Sequence, residues 1–133
     1  LLRPNVIGLF NVMDAARHAP GGTVRRVVLA SSVQAISGLR RQQDRVVATT
    51  DVAPNNHYGL TKVWAEQMGE MYARCYGLTV LAIRILWFVR NADEAARMEK
   101  HGVFDSYFSH DDAERFFTRC VEAELASGSY HLL

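Results

Sequence analysis

The chain has 133 residues, 49% of them hydrophobic and 22% charged, proportions that fit one soluble domain with a real core. Fifteen basic residues against fourteen acidic ones leave a formal charge of +1, too little field to draw in nucleic acid or an anionic membrane surface. No apolar run approaches the ~20 residues that span a bilayer; without a secretion signal, and with Cys75 and Cys120 lacking metal-site or disulfide spacing, the composition predicts a cytoplasmic protein with reduced thiols.

Leu1 and Leu2 stand where a helix is already under way, with no initiator Met before them, which predicts a chain truncated at its N-terminus. From Pro4 to Ala19, Val6, Phe10 and Met13 recur at helical spacing beside Leu9, Val12 and Ala16, an amphipathic helix ended by Pro20-Gly21-Gly22. VVLASS, residues 27 to 32, is a short apolar run of the kind buried on both faces of a parallel sheet. Residues 33 to 55 are polar and arginine-rich, contain Gly38 and Pro54, and predict a long loop.

A second helix is predicted from Asn56, as N-cap, to Tyr76, with Gly77 as its stop. Its expected buried stripe is Val63, Trp64, Gln67, Met68, Met71, Tyr72 and Cys75. TVLAIRI, residues 79 to 85, follows as a strand. Further on come a short helix over 93 to 100, an extended SYFSHDD, a long helix over 111 to 125 and a last strand in SYHLL. Helices and strands alternating at these lengths predict an α/β fold with a doubly wound parallel sheet. Residues 1 to 133 read as one incomplete domain of Rossmann type, whose remaining strands would precede Leu1.

Only two of the fifteen basic residues are lysines, Lys62 and Lys100. Lys62 stands four residues after Tyr58 in the first turns of the second helix, so the two side chains share a face and their tips can meet. A phenol is a poor base at neutral pH, but a nearby ammonium stabilises the phenolate and fits it for proton exchange with a substrate hydroxyl. Ser31 and Ser32 end the preceding strand at its carboxyl edge, where ligands bind in open α/β sheets. A hydroxyl there can bond the same substrate oxygen. The competing reading of Tyr58 and Lys62 is a solvated surface pair.

Other features are plainer. His110 with Asp111 and Asp112 suggests a metal or relay cluster, yet a helix cap by Ser109 or Asp111 explains it better, and no metal site is predicted. Trp87 and Phe88 suit a core or a pocket wall. Arg84 and Arg90 suit either an anionic substrate group or structural ion pairs.

VVLASS, Gly38, HYGLTKVWAEQMGEMYARCYGL and TVLAIRI together resemble the central block of the extended short-chain dehydrogenases, the NAD-dependent epimerase/dehydratase family. NVIGLFNVMDAA resembles that family's Asn-x-x-Gly helix, and YFSHDDAERFF its late Asp-led helix; within the family the uronate dehydrogenases look most similar. The resemblance implies Ser32 as the hydrogen-bonding hydroxyl, Tyr58 as acid/base and Lys62 as ribose ligand. It further implies Ala30 and Ile85 beside an NAD or NADP cofactor, and Gln34, Asn56, Trp87 and Arg90 toward a sugar, uronate or nucleotide-sugar substrate. A homodimer through helices 4–19 and 56–76 is implied as well.

Counting back from Gly38 places the family's hydroxyl at Val33, whereas aligning the strands places it at Ser32, which is adopted. Val33 and Gln34 replace the Asn-His that follows Ser-Ser in uronate dehydrogenases, and no glycine-rich phosphate-binding stretch is present. The chain alone is therefore expected to hold cofactor weakly. Reaction classes consistent with the set are dehydrogenation, epimerisation and dehydration. The alternative is a non-catalytic dinucleotide-binding sensor.

Overall fold

The computed structural model describes residues 1–41, 50–100 and 107–133. Its packing groups into two compact units, Leu1–Arg84 with Glu124–Leu133, and Ile85–Ala123.

In the first unit a π-helical turn, Arg3–Gly8, runs into α1, Leu9–Arg17, as the apolar spacing predicted. Met13 is its fully buried side chain, while Phe10 and Val12 face outward. β1 is Arg26–Ser32, α2 is His57–Tyr76 and β2 is Thr79–Ile85. β5, Tyr130–Leu132, lies parallel to β2 with Val80 opposite Tyr130 and Ala82 opposite Leu132, so the sheet order is β1-β2-β5. The predicted last strand is thus in place. Met13, Leu29, Met68, Tyr72, Leu78 and Val80 fill the core between α1, α2 and the sheet.

α2 starts and stops where its end residues require. The Asn56 carboxamide accepts the Gly59 N–H at 2.8 Å, and Gly77 ends the helix at φ 70°, a conformation costly to any residue with a Cβ. The predicted stripe, however, is rotated. Met68 and Tyr72 are buried, but Val63 is only half-buried and Trp64, Gln67, Met71 and Cys75 are exposed. The buried face is instead Thr61, Ala65, Glu66, Met68, Gly69, Tyr72 and Ala73. Small residues face the sheet because they let the helix approach it closely, so side-chain size pointed the wrong way.

Two other expectations change. β1 is not buried on both faces: Val27 and Val28 are half-buried and Ala30 is exposed, and among the described residues β1 is an edge strand of its sheet, with β2 as its one neighbour. The predicted long loop begins as a 3-10 helix, Val33–Arg41, broken at Ile36, because Ser37 and Gly38 find partners on the returning chain. The Ser37 hydroxyl donates to Asn55 Oδ1 at 2.7 Å, and Gly38 N–H donates to the Ala53 carbonyl at 2.7 Å. Residues 42 to 49 of that loop lie outside the described residues.

The second unit contains β3, Trp87–Phe88, paired in parallel with β4, Tyr107–Phe108, then α3, Ala92–Lys100, and α4, His110–Glu122. β3 was not foreseen, and α4 starts and ends slightly earlier than predicted. Ser109 caps α4 by accepting the Asp112 N–H at 3.0 Å, and its own hydroxyl donates to the Asp112 carboxylate, so the capping reading holds. His110 donates to the Val89 carbonyl at 2.7 Å. Edge-on ring contacts link Phe88 to Phe108 and Phe108 to Phe116. Among the described residues no helix is long and apolar enough to cross a membrane.

Candidate active site

Ser31 and Ser32 close β1 and are both buried, at 3% and 8% exposure. Their hydroxyls have different partners. Ser31 Oγ donates to the Glu66 carboxylate, whereas Ser32 Oγ accepts the Gln34 N–H at 3.2 Å as the chain turns into the 3-10 helix. The Gln34 side-chain oxygen in turn accepts from Asn56 Nδ2 at 2.9 Å. Ser32, Gln34 and Asn56 therefore form one connected rim that leads to the N-terminus of α2.

That rim is tight. A Cβ on Gly59 would lie 2.3 Å from the Gln34 carbonyl oxygen, so a residue with no side chain is needed beside Tyr58. Behind it, Thr61 Oγ1 donates to the Tyr58 carbonyl at 2.7 Å and accepts from Asn5 Nδ2 at 3.0 Å, tying the first turn of α2 to the π-helical turn. Tyr58 itself is 40% exposed, open to a ligand.

Lys62 follows one turn later and is half-buried. Its ammonium donates to the Ala30 carbonyl at 2.8 Å and lies 5.3 Å from the centroid of the Tyr58 ring. Burial disfavours the charged amine and pushes its pKa below the ordinary 10.5. An ammonium has three donors, and the Ala30 carbonyl takes one, so the group can also serve a ligand hydroxyl.

The structure thus joins Ala30, Tyr58 and Lys62 in one cluster and Ser32, Gln34 and Asn56 in another, with both meeting at the start of α2. Ala30 takes part through its carbonyl. Ile85, half-buried at the end of β2, and Trp87 and Arg90 belong to the second unit. There the Arg90 guanidinium pairs with Glu94 at 3.1 Å. Arg84 pairs with Glu66 at 2.8 Å, both side chains buried, which settles its reading as a structural ion pair.

Sequence reasoning missed Glu66 and Gly59. Glu66 falls four residues after Lys62, on the Tyr58 and Lys62 face, and that spacing was a usable signal. Gly59 carried none, because only the approach of Gln34 shows why it is there. Among the described residues no group of three or more His, Cys, Asp and Glu could hold a metal.

A helix crossover joins two neighbouring strands, with serines at the first strand's end and a phenol and ammonium at the helix start; this defines an α/β protein of Rossmann-like build. The model of the NAD dependent epimerase/dehydratase family matches residues 1–89, and the chain belongs to that family. The uronate dehydrogenase of Pseudomonas putida is 38% identical over 85 residues, 64% of this chain and 30% of its own length. The L-arabinose 1-dehydrogenase (NAD(P)(+)) of Haloferax volcanii is 29% identical over 137 residues, covering 91% of this chain and 53% of its own. The crystal structure of glucuronic acid dehydrogenase from Chromohalobacter salexigens superposes with a TM-score of 0.74 at 27% identity, over 96% of this chain and 44% of that one. The chain spans about half or less of the length of these relatives.

Proposed function

We propose that the full-length protein carrying this chain is an NAD(P)-dependent oxidoreductase or epimerase acting on a sugar or uronate hydroxyl, with Tyr58 as acid/base. The observation that carries this reading is the Lys62 ammonium, held against the end of β1 and 5.3 Å from the Tyr58 ring. Its charge stabilises the negative charge that develops on the phenol oxygen. Tyr58 takes the proton of the substrate hydroxyl as the carbon bearing it is oxidised. Ser32 uses a lone pair to hold the Gln34 N–H, which leaves its own O–H to bond the substrate oxygen. Ser31 is committed to Glu66, which favours Ser32 for this task.

Bound NAD, or NADP, supplies the hydride acceptor. The donor set fits such a group: the half-buried Lys62 ammonium and the exposed Tyr58 hydroxyl suit ribose oxygens. Gln34 and Asn56 rim the substrate side. The dehydrogenase relatives act on uronates and on L-arabinose by their names, which supports a sugar as substrate.

The outward residues of α1 and α2 support a homodimer built on those helices. Phe10, Trp64, Met71 and Tyr76, each exposed, line a groove of about 510 Å³ between the two helices, beside Asp14, Arg17 and Gln67. Clustered exposed apolar side chains rimmed by polar ones mark protein–protein contact sites.

The test is hydride transfer by the full-length protein with NAD or NADP and a panel of uronates and aldoses. Turnover that Tyr58→Phe lowers by about 100-fold or more supports the assignment. Cofactor binding with no turnover on any substrate would replace it with the non-catalytic sensor.

A further inference from the structure

Glu66 is an ionisable group buried to 1% exposure, and the proton transfer described above gives it no part. Its carboxylate accepts from Ser31 Oγ in β1, from Arg84 Nε at 2.9 Å and from Arg84 Nη2 at 2.8 Å in β2. Three elements therefore converge on one side chain. A buried ion pair is poor evidence for stability, since desolvating two charges offsets most of their attraction. What it does supply is direction. The two-pronged guanidinium fixes the plane of the carboxylate, and a second lone pair on Oε1 then fixes the Ser31 hydroxyl.

Ser31 precedes Ser32 directly, and Glu66 follows Lys62 by one helical turn. We propose that Glu66 is a positioning residue: by holding Ser31 and Arg84 together it sets the register of α2 against the end of β1, and so the placement of Ser32 relative to Tyr58 and Lys62. This inference rests on reading those three residues as the proton-transfer set. Lys62 also bonds the end of β1, but its two further donors are free to serve a ligand, whereas the hydrogen bonds of Glu66 stay within the fold.

The experiment uses the full-length protein with Glu66→Gln, Ser31→Ala and Tyr58→Phe side by side. Glutamine keeps the shape of Glu66 but, whichever way its amide is turned, puts an N–H donor against an N–H of Arg84, which has no acceptor to offer it. For Glu66→Gln, kcat per cofactor-binding site should fall about 10- to 100-fold while the cofactor KM stays within about twofold, the cost expected of a misplacement near 1 Å. Ser31→Ala should lose less, about 3- to 10-fold. Amide hydrogen exchange at residues 31 to 34 should accelerate in both variants relative to the rest of β1.

A merely structural role predicts fewer active molecules, each with unchanged kcat and KM and no selective change in exchange; that result overturns the proposal. Should Glu66→Gln not fold, the Ser31→Ala result decides by the same criteria. A wild-type protein without turnover defeats the proposed function instead, and the exchange measurement then tests the register role alone. Normal turnover, a dead Tyr58→Phe and an unaffected Glu66→Gln would defeat only the positioning role.

Discussion

Lys62 donates its ammonium to the Ala30 carbonyl at 2.8 Å, so the side chain that faces Tyr58 also ties α2 to the end of β1. Burial holds its pKa below the 10.5 of an ordinary lysine. The unfolded chain keeps the higher value, so between the two the unfolded state binds more protons and stability rises with pH. Below the folded value both states are protonated, and the cost of the buried charge is carried in full. Lys62→Met removes this titration. The wild-type minus variant difference in urea-unfolding free energy should therefore move in favour of wild type as pH is raised toward 10.5. A flat difference over that range would mean that the amine is solvated.

Gly59 sits under the Gln34 carbonyl, where a Cβ would come within 2.3 Å of backbone oxygen. Backbone cannot swing aside as a flexible side chain can. Gly59→Ala should cost about 1–3 kcal/mol in urea denaturation, the usual range for overpacking. It should also lower turnover in molecules that do fold, because the strain falls between Gln34 and Tyr58. A variant with unchanged midpoint and unchanged kcat would show that α2 does not press on the 3-10 helix.

Arg84 and Glu66 separate stability from positioning. Arg84→Ala leaves the Glu66 charge buried and short of partners, which should cost about 3–5 kcal/mol. Replacing both at once, Glu66→Leu with Arg84→Met, removes the two desolvated charges together and should restore most of that loss. Turnover should stay low in the double variant, because no group then directs Ser31. If thermal stability and kcat recover together, the pair matters only as packing.

Much of this was legible in the sequence, and the remainder was not for physical reasons. Asn56, Gly77 and the apolar runs at 27–32 and 79–85 mark α2 and its flanking strands because caps and strand cores depend on local residue type. Tyr58 and Lys62 could be paired because helical spacing alone decides that they share a face. The buried side of α2 was misread, since Ala65, Gly69 and Ala73 carry little apolar signal although they permit the close approach to the sheet. β3 is a two-residue strand that exists through its pairing with the distant β4, and no local pattern announces such a contact. Glu66 was overlooked because its partners Ser31 and Arg84 lie on two different strands.

The exposed Trp64 and Met71 lead to a prediction about assembly. Both lie on the outer side of α2, at 37% exposure each, with Phe10 of α1 across the same groove. A charge placed in the middle of a buried apolar contact is strongly unfavourable, whereas on an open surface it costs little. For the homodimer proposed above, Trp64→Glu with Met71→Glu in the full-length protein should halve the mass seen by analytical ultracentrifugation and leave the helical content intact. An unchanged mass would remove this face as the dimer contact.

Glu94 gives a pH dependence of the opposite sign to Lys62. The Arg90 guanidinium, then the Arg90 backbone N–H and more weakly the Trp87 side chain, bond its carboxylate and hold its pKa down to about 2, against 4.5 for an ordinary glutamate. The folded value lies below the unfolded one, so the contribution is fully present above pH 4.5 and is lost as pH falls through about 2. A carbon-detected NMR titration of the Glu94 carboxyl should find that low value in the wild type and a return toward 4.5 in Arg90→Gln. Titration near 4.5 in the wild type would show the pair to be open in solution.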